Sequence, residues 1–336
     1  MSEPTAPGLT VVAEQPPAPL LDALRRPRGD ALMLGHVHPD GDVLGTLLGL
    51  GLAMETAGWT MSYASPDPVP TVLDFIPNGD RWQMWRTAPR RFDTIVLTDC
   101  PNDGRTEGLL AGVRGPTSQV LNIDHHPDNR RYGTINWIDP TAAATGEMIH
   151  DLLVALGWPI RPETALGLYT AVHTDTGSFR YSNTTPRTFR IAAALTAAGA
   201  EPALVTDRLY QRRPKDALTV LGGILSRVEV SDDGRVATLT VPEGVASEEF
   251  MAAEDLVTYP RSIAGVKVAV LLRAEPDGRV KASLRGKGEV PVNRIAHRFG
   301  GGGHENAAGC TLPGPLDAAK ATLLAAVRQA LDGGAA

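Results

Sequence analysis

Cysteine is nearly missing from this chain. Its two residues, Cys100 and Cys310, stand in no Cys-x-x-Cys pair. That pattern offers neither a disulfide framework nor a thiolate zinc site, and it suits a reducing cytoplasm, the expected compartment. A run of about 18 apolar residues is missing too, so no membrane span and no membrane partner are expected. The first twenty residues lack a basic stretch followed by an apolar one, so they do not read as a secretory signal. Their Pro and Glu content predicts a flexible segment over 1–28. Basic excess is likewise absent: 32 Lys and Arg stand against 38 Asp and Glu, a formal net charge of -6. Proteins that track long nucleic acid by bulk electrostatics carry a basic stripe, so a long duplex is not an expected partner. A short nucleotide held in a local positive pocket remains compatible.

The 336 residues suggest two domains, and 43% hydrophobic residues supply a core. Glycine (35) and proline (27) are both plentiful, which fits tight loops, and glycine-rich loops often carry ligand sites. From Ala31 the pattern is α/β. ALMLGH (31–36), MSYAS (61–65), FDTIVLTDC (92–100) and SQVLNIDHH (118–126) read as strands. VLGTLLGLGLAMETAG (43–58) reads as an amphipathic helix ending at Gly58, and 145–157 and 162–177 also read as helices. Alternation of strands and helices implies a mostly parallel sheet, with ligands beyond the carboxyl ends of its strands. Helices over 186–200 and 201–214 are expected to link two lobes. A smaller α/β domain is expected over 215–336. It has hairpins turning at Asp233-Gly234 and Asp277-Gly278, a glycine loop at 300–303, and a final amphipathic helix over 317–333.

Chemistry gathers in four places. His36-Val37-His38-Pro39-Asp40-Gly41-Asp42 places an imidazole and two carboxylates on a strand-to-helix turn. Asp99 ends a strand. Asp124-His125-His126 ends another. Asp175 follows a helix in HTDTGSFRY. Carboxylates and imidazoles without thiolates suit Mn²⁺, Mg²⁺ or similar hard ions. Two such ions ~3.5–4 Å apart are a common arrangement for displacement at phosphorus. Asp99 or Asp175 would bridge them. A strand-end Asp taken alone is usually a turn former or helix N-cap, and a lone His-His pair usually means nothing. All four clusters at carboxyl ends, in this order, outweigh that bland reading. His38 reads as a neighbour of the matched positions, His150 and His173 as structural, and Cys100 as a small buried side chain.

These motifs resemble those of the DHH phosphoesterase superfamily. His-x-x-x-Asp-x-Asp matches His36, Asp40 and Asp42. The strand-end Asp matches Asp99, Asp-His-His matches Asp124, His125 and His126, and the Thr-Asp-Thr-Gly context matches Asp175. The resemblance implies that His36, Asp40, Asp99 and Asp175 hold one manganese ion, with Mg²⁺ or Co²⁺ as substitutes. It implies that Asp42, Asp99, His125 and Asp175 hold the other. His126 would lie just outside the metal shell near the phosphate, with Asp124 orienting a histidine. A parallel-sheet DHH catalytic domain is thus expected over 29–185, a helical linker over 186–214, and a DHH-associated domain over 215–336, with a cleft between the domains.

In the second domain, Gly300 to Gly303 followed by His304 would let backbone amides approach an anion, and a following helix packed through Ala307-Ala308 would add its positive end. A flexible hinge is the bland alternative. Together with Ser283-Leu284-Arg285 this loop resembles that of the DHH-associated domain. The resemblance implies that Ser283, Arg285, Gly301, Gly302, Gly303 and His304 bind substrate, Arg285 through its planar fork. The compact form resembles the nanoRNase type of the family. It implies hydrolysis of short oligoribonucleotides, of linear dinucleotides such as pApA, and of cyclic dinucleotides to nucleoside monophosphates. Phosphatase action on 3′-phosphoadenosine 5′-phosphate (pAp) is the main alternative, and a non-catalytic nucleotide sensor is another. Inorganic pyrophosphatase is disfavoured by the Gly-Gly-Gly-His loop. Phe179 or Tyr181 would stack a base or else pack in the core. A homodimer is left open.

Overall fold

The structure is a computed structural model that describes residues 15–27, 29–213, 215–245, 256–287 and 290–333, with the backbone but not the side chain of His304. The chain divides into two compact units, Met1–Arg208 and Leu209–Ala336.

The first unit is built on a six-stranded parallel sheet ordered β3-β2-β1-β4-β5-β6. Its strands are β1 (Asp30–Leu34), β2 (Thr60–Ser65), β3 (Trp82–Met84), β4 (Phe92–Thr98), β5 (Arg114–Asp124) and β6 (Ile135–Ile138). Ala31 to Leu34 of the central strand are wholly buried, as expected of a parallel strand covered on both faces. Chain order reverses between β1 and β4, which makes the carboxyl ends of these strands the switch point of the sheet. The short strands β3 and β6 add edges that the sequence pattern does not announce.

Helices α1 (Ala18–Arg25), α2 (Gly41–Thr56), α3 (Leu109–Val113), α4 (Thr145–Leu156), α5 (Pro162–Asp175), α6 (Pro186–Ala197) and α7 (Pro202–Tyr210) complete this unit and lead out of it. Residues 18–25, expected to be flexible, instead form α1. Leu20 and Leu24, four residues apart, are buried, and the Leu24 carbonyl accepts from Trp59 Nε1 at 3.1 Å; residues 1–14 lie outside the described residues. α2 is not amphipathic as expected. Residues 41–51 are all buried, because α2 lies against the sheet on one side and against α4 and α5 on the other. A Cβ at Gly45 would stand 2.2 Å from the carbonyl oxygen of Gly167, and a Cβ at Gly41 2.5 Å from Thr174 Oγ1. Glycine is therefore what lets α2 and α5 touch backbone to backbone, with the start of one beside the end of the other. Within the segment expected as a linker, α6 packs on α5.

The second unit carries α8 (Lys215–Leu225), α9 (Thr258–Ser262), α10 (Val292–His297) and α11 (Leu316–Asp332). Its mixed sheet is ordered β11-β12-β10-β9-β8-β7. The strands are β7 (Val228–Val230), β8 (Val236–Val241), β9 (Val268–Ala274), β10 (Arg279–Gly286), β11 (Gly302–His304) and β12 (Ala307–Pro313). Both expected hairpins form, with Gly234 at φ 70° and Gly278 at φ 81° in their turns. α11 lays Leu323 and Val327 on the core beneath β9 and β10. The helix expected after the glycine loop is absent. Ala307 and Ala308 instead begin β12, which pairs with β10 and β11. Their small side chains serve sheet packing, and the helix beside the loop, α10, precedes it.

Candidate metal centre

The switch point collects the acidic and imidazole side chains. His36 follows β1, Asp40 caps α2, and Asp42 lies in the first turn of α2. Asp99 follows β4, Asp124 ends β5 with His125 and His126 next, and Asp175 ends α5. Three groups of potential ligand atoms each lie within 4.8 Å: His36, Asp40 and Asp99; Asp42, His125 and Asp175; and Asp99, His125 and His126.

Asp99 stands between the first two groups. Its Oδ2 is 3.7 Å from His36 Nε2, and its Oδ1 is 3.4 Å from His125 Nε2. It reaches both because its backbone is left-handed, φ 51°, a conformation aspartate tolerates better than most residues. Asp40 keeps its usual role as an N-cap: Oδ1 accepts from the amides of Asp42 and Val43, both at 3.1 Å. Capping uses one oxygen and leaves Oδ2 for the cluster. Asp42 is buried, and its carboxylate accepts from the amides of Thr145 at 2.7 Å and Gly146 at 3.0 Å, the first residues of α4. The positive end of that helix favours the anion.

The histidines are oriented by their far nitrogens. His125 Nδ1 lies 3.1 Å from the Ala142 carbonyl, so Nε2 faces Asp42, Asp99 and Asp175. His126 Nδ1 lies 2.8 Å from Asp124 Oδ1, whose other oxygen accepts from Asn129 Nδ2 at 2.5 Å. Asp124 thus orients His126.

Burial sets the electrostatics. It is the first cause of the upward shift at Asp42, with the charges of Asp99 and Asp175 adding to it. Asp99 is also pushed up by burial, but contacts from His125 and His36 outweigh this and hold it well below the usual carboxylate range. Burial lowers His125, yet the surrounding carboxylates, Asp175 first, raise it well above an ordinary imidazole. Asp175 is raised to about 7, chiefly by burial. So many carboxylates in little water require compensating cations. His36 Nε2 and Asp99 Oδ1 are buried and make no hydrogen bond among the described residues. The oxygen and nitrogen donor set therefore fits hard divalent ions.

The other expected residues divide. His38 turns to Asp67, whose Oδ2 accepts its amide at 2.8 Å. His150 pairs with Asp151 at 2.9 Å, and buried His173 stacks on Tyr169. Cys100 is buried, which pushes its thiol up to about 11, and it points at the Asn102 carbonyl; it has the character of a packing residue. Phe179 stacks on Phe189 with ring centroids 5.6 Å apart.

In the second unit, Ser283 and Gly301 line a cavity of about 480 Å³ with Lys281, Gly309 and Thr311. Ser283 pairs with Gly309, and Arg285, two residues on along β10, pairs with Ala307. Gly301 and Gly303 have a packing reason as well. A Cβ at Gly301 would stand 2.0 Å from the Gly309 carbonyl oxygen, and one at Gly303 2.5 Å from that of Ala307. The side chain of His304 lies outside the described residues.

Several supporting residues have no signal in the sequence. The Ala142 carbonyl and the amides of Thr145 and Gly146 are backbone groups without a side-chain signature. Arg187 organises the loop that carries them. Its guanidinium reaches Asp151 at 2.7 Å, Asp139 at 3.3 Å and Glu147 at 3.6 Å. Asp139 in turn accepts from Thr141, and Glu147 from the amide of Ala143. Lys281, two residues before Ser283 on the same face of β10, was legible by alternation.

A family model for the DHH family, N-terminal domain, matches residues 31–172, and one for the DHHA1 domain matches residues 234–333. The bifunctional oligoribonuclease and PAP phosphatase NrnA of Thermus thermophilus is 38% identical over 313 residues, covering 92% of this chain and 93% of the relative. This chain belongs to the DHH family. The Bacillus subtilis protein of the same name is 27% identical over 289 residues, covering 82% of this chain and 87% of that one. The DHH chain also shares its fold with an exopolyphosphatase-related protein from Bacteroides fragilis. That crystal structure has a TM-score of 0.83 and 24% identity, and the match covers 96% of this chain and 98% of the other. Among the described residues, no helix of this DHH protein is long and apolar enough to cross a membrane.

Proposed function

We propose that this protein is a two-metal phosphodiesterase, with manganese as its metal, that hydrolyses short oligoribonucleotides and linear dinucleotides such as pApA to nucleoside monophosphates. The observation that carries this reading is the position of Asp99, one oxygen toward His36 and the other toward His125. A carboxylate so placed suits a bridge between two ions. His36, Asp40, Asp99 and Asp175 would hold one, and Asp42, Asp99, His125 and Asp175 the other. Bound there, the ions would supply hydroxide from water and neutralise phosphoryl oxygens.

The protein's own groups complete the site. His125 presents Nε2 because Nδ1 is engaged by Ala142. The two α4 amides hold Asp42 as an oriented anion. Burial lowers His126, but the Asp124 carboxylate outweighs it and favours the imidazolium. With Nδ1 held by Asp124, His126 would act as a hydrogen-bond donor to the phosphate when protonated. Ser283, Arg285, Gly301, Gly302, Gly303 and His304 bind the nucleotide's phosphate or base, a role suited to backbone amides and a guanidinium fork. Phosphatase action on pAp would use the same residues, and the names of both NrnA relatives include it. A non-catalytic sensor is disfavoured by the complete ligand set.

The test is a panel of pAp, pApA, cyclic di-AMP, cyclic di-GMP and RNA of two to ten nucleotides, with Mn²⁺, Mg²⁺ and Co²⁺. Fast turnover of pApA and the shortest RNAs with Mn²⁺ is expected. Ten-mers cleaved as fast as dimers would refute the preference for short substrates. No hydrolysis with any metal would refute the phosphodiesterase reading.

A further inference from the structure

Arg105 lies at the carboxyl edge of the sheet, in the turn Asp103–Thr106. The turn is fixed to the metal centre through the backbone: the Arg105 carbonyl accepts the Val37 amide at 2.9 Å. Its half-buried guanidinium has no carboxylate partner among the described residues. Instead, Nη2 stands 3.1 Å from Nδ1 of His36. That contact conflicts with the role of His36. Nδ1 also lies 2.7 Å from the Val37 carbonyl, which can only accept. For Nε2 to offer its lone pair to an ion, Nδ1 must carry the proton and donate it to Val37. An Nδ1 that donates cannot accept from Arg105. In the metal-bound tautomer, a donor therefore faces a donor, and the guanidinium needs another acceptor.

Resting on the phosphodiesterase reading above, we propose that Arg105 is a phosphate-binding residue of this centre. Because Nδ1 of His36 donates to the Val37 carbonyl, the Arg105 guanidinium is left to engage the oxygens of the substrate phosphate. A planar fork of five donors suits a phosphoryl anion, and among the described residues no carboxylate pairs with Arg105.

The test compares the full-length chain with Arg105→Ala and Arg105→Lys. Bound Mn²⁺ is measured by elemental analysis, inorganic phosphate binding to the Mn²⁺-loaded proteins by calorimetry, and kcat and KM on pApA by product formation. A charge-assisted contact of this kind is worth about tenfold or more in affinity. Arg105→Ala is expected to keep its Mn²⁺ and to bind phosphate about tenfold more weakly, with Arg105→Lys in between as a point charge lacking the fork. Equal phosphate binding by the wild type and Arg105→Ala would overturn the proposal. Loss of Mn²⁺ from both variants would also overturn it, because Arg105 would then act through His36 alone. A wild type that binds phosphate but leaves pApA intact would sink the substrate reading, while the phosphate comparison would still decide the role of Arg105.

Discussion

Gly45→Ala tests how the metal centre is spaced. Asp42 opens α2 and Asp175 closes α5, and the two helices meet where Gly45 faces Gly167. The added methyl would stand 2.2 Å from a backbone oxygen, about 1 Å short of ordinary contact, and no rotamer relieves a clash with backbone. Overpacking of this kind costs about 1–3 kcal/mol, against a helix-propensity gain of about 1 kcal/mol for replacing glycine. We expect a net loss, and a fall in Mn²⁺ affinity as α2 moves relative to α5. Gly222 in α8 is the control: nothing lies within 4 Å of the place its added methyl would take, so Gly222→Ala should gain about 0.5–1 kcal/mol. Gly49→Ala, with 3.3 Å to the Thr164 carbonyl oxygen, should fall between them. All five tryptophans lie in the first unit, so their fluorescence in urea reads Gly45 and Gly49 directly, and circular dichroism reads Gly222. A Gly45→Ala protein as stable as wild type, with unchanged Mn²⁺ affinity, would refute the close-contact argument.

Asp175, raised to about 7, makes the EDTA-treated protein pH-sensitive. An unfolded aspartate titrates near 3.9, so between about pH 4 and 7 the unfolded chain sheds a proton that the folded protein keeps. Stability should fall as pH rises through that window, by on the order of 4 kcal/mol at most, and Asp175→Asn should flatten the urea midpoints; an unchanged slope in the variant would show that other groups set it. Mn²⁺ affinity should rise over the same window, since binding needs the carboxylate deprotonated. Arg187→Ala leaves buried Glu147 and Asp139 uncompensated and should cost about 3 kcal/mol in urea unfolding of the first unit, with weaker Mn²⁺ binding because the Ala142–Gly146 loop loosens; a loss under about 0.5 kcal/mol would place Arg187 among ordinary surface ion pairs. Asp99→Asn keeps a residue type that tolerates φ 51° and should fold normally while losing bound Mn²⁺ by elemental analysis; a full metal complement would remove Asp99 from the ligand set.

The parallel sheet and its carboxyl-end clusters were legible because they rest on local signals. Apolar runs of strand length, glycine stops and Asp-Gly turns each act within a few residues. The segments that escaped are those whose structure is decided elsewhere in the chain. β3 and β6 are too short to show a period, and they exist because β2 and β5 offer edges to pair with. α1 is set by Leu20 and Leu24 finding a core, which outweighs the proline content around them. The fate of Ala307-Ala308 turns on β10: two alanines after a glycine run suit a helix or a strand equally, and the open edge of β10 selects the strand.

The same division runs through the metal centre. Side chains such as His36, Asp99 and Asp175 announce a chemistry by their type. What makes them a centre is largely backbone: the Ala142 carbonyl on His125, the α4 amides on Asp42, the left-handed turn at Asp99, and the Gly45–Gly167 contact that sets α2 against α5. Backbone groups are the same in every residue, so a sequence carries them only through the fold that positions them. Arg105 shows how the two layers join. Its residue type suggests only a cation on a solvated turn, and its meaning appears when the Val37 carbonyl fixes the tautomer of His36 and leaves the guanidinium facing a nitrogen that cannot accept from it.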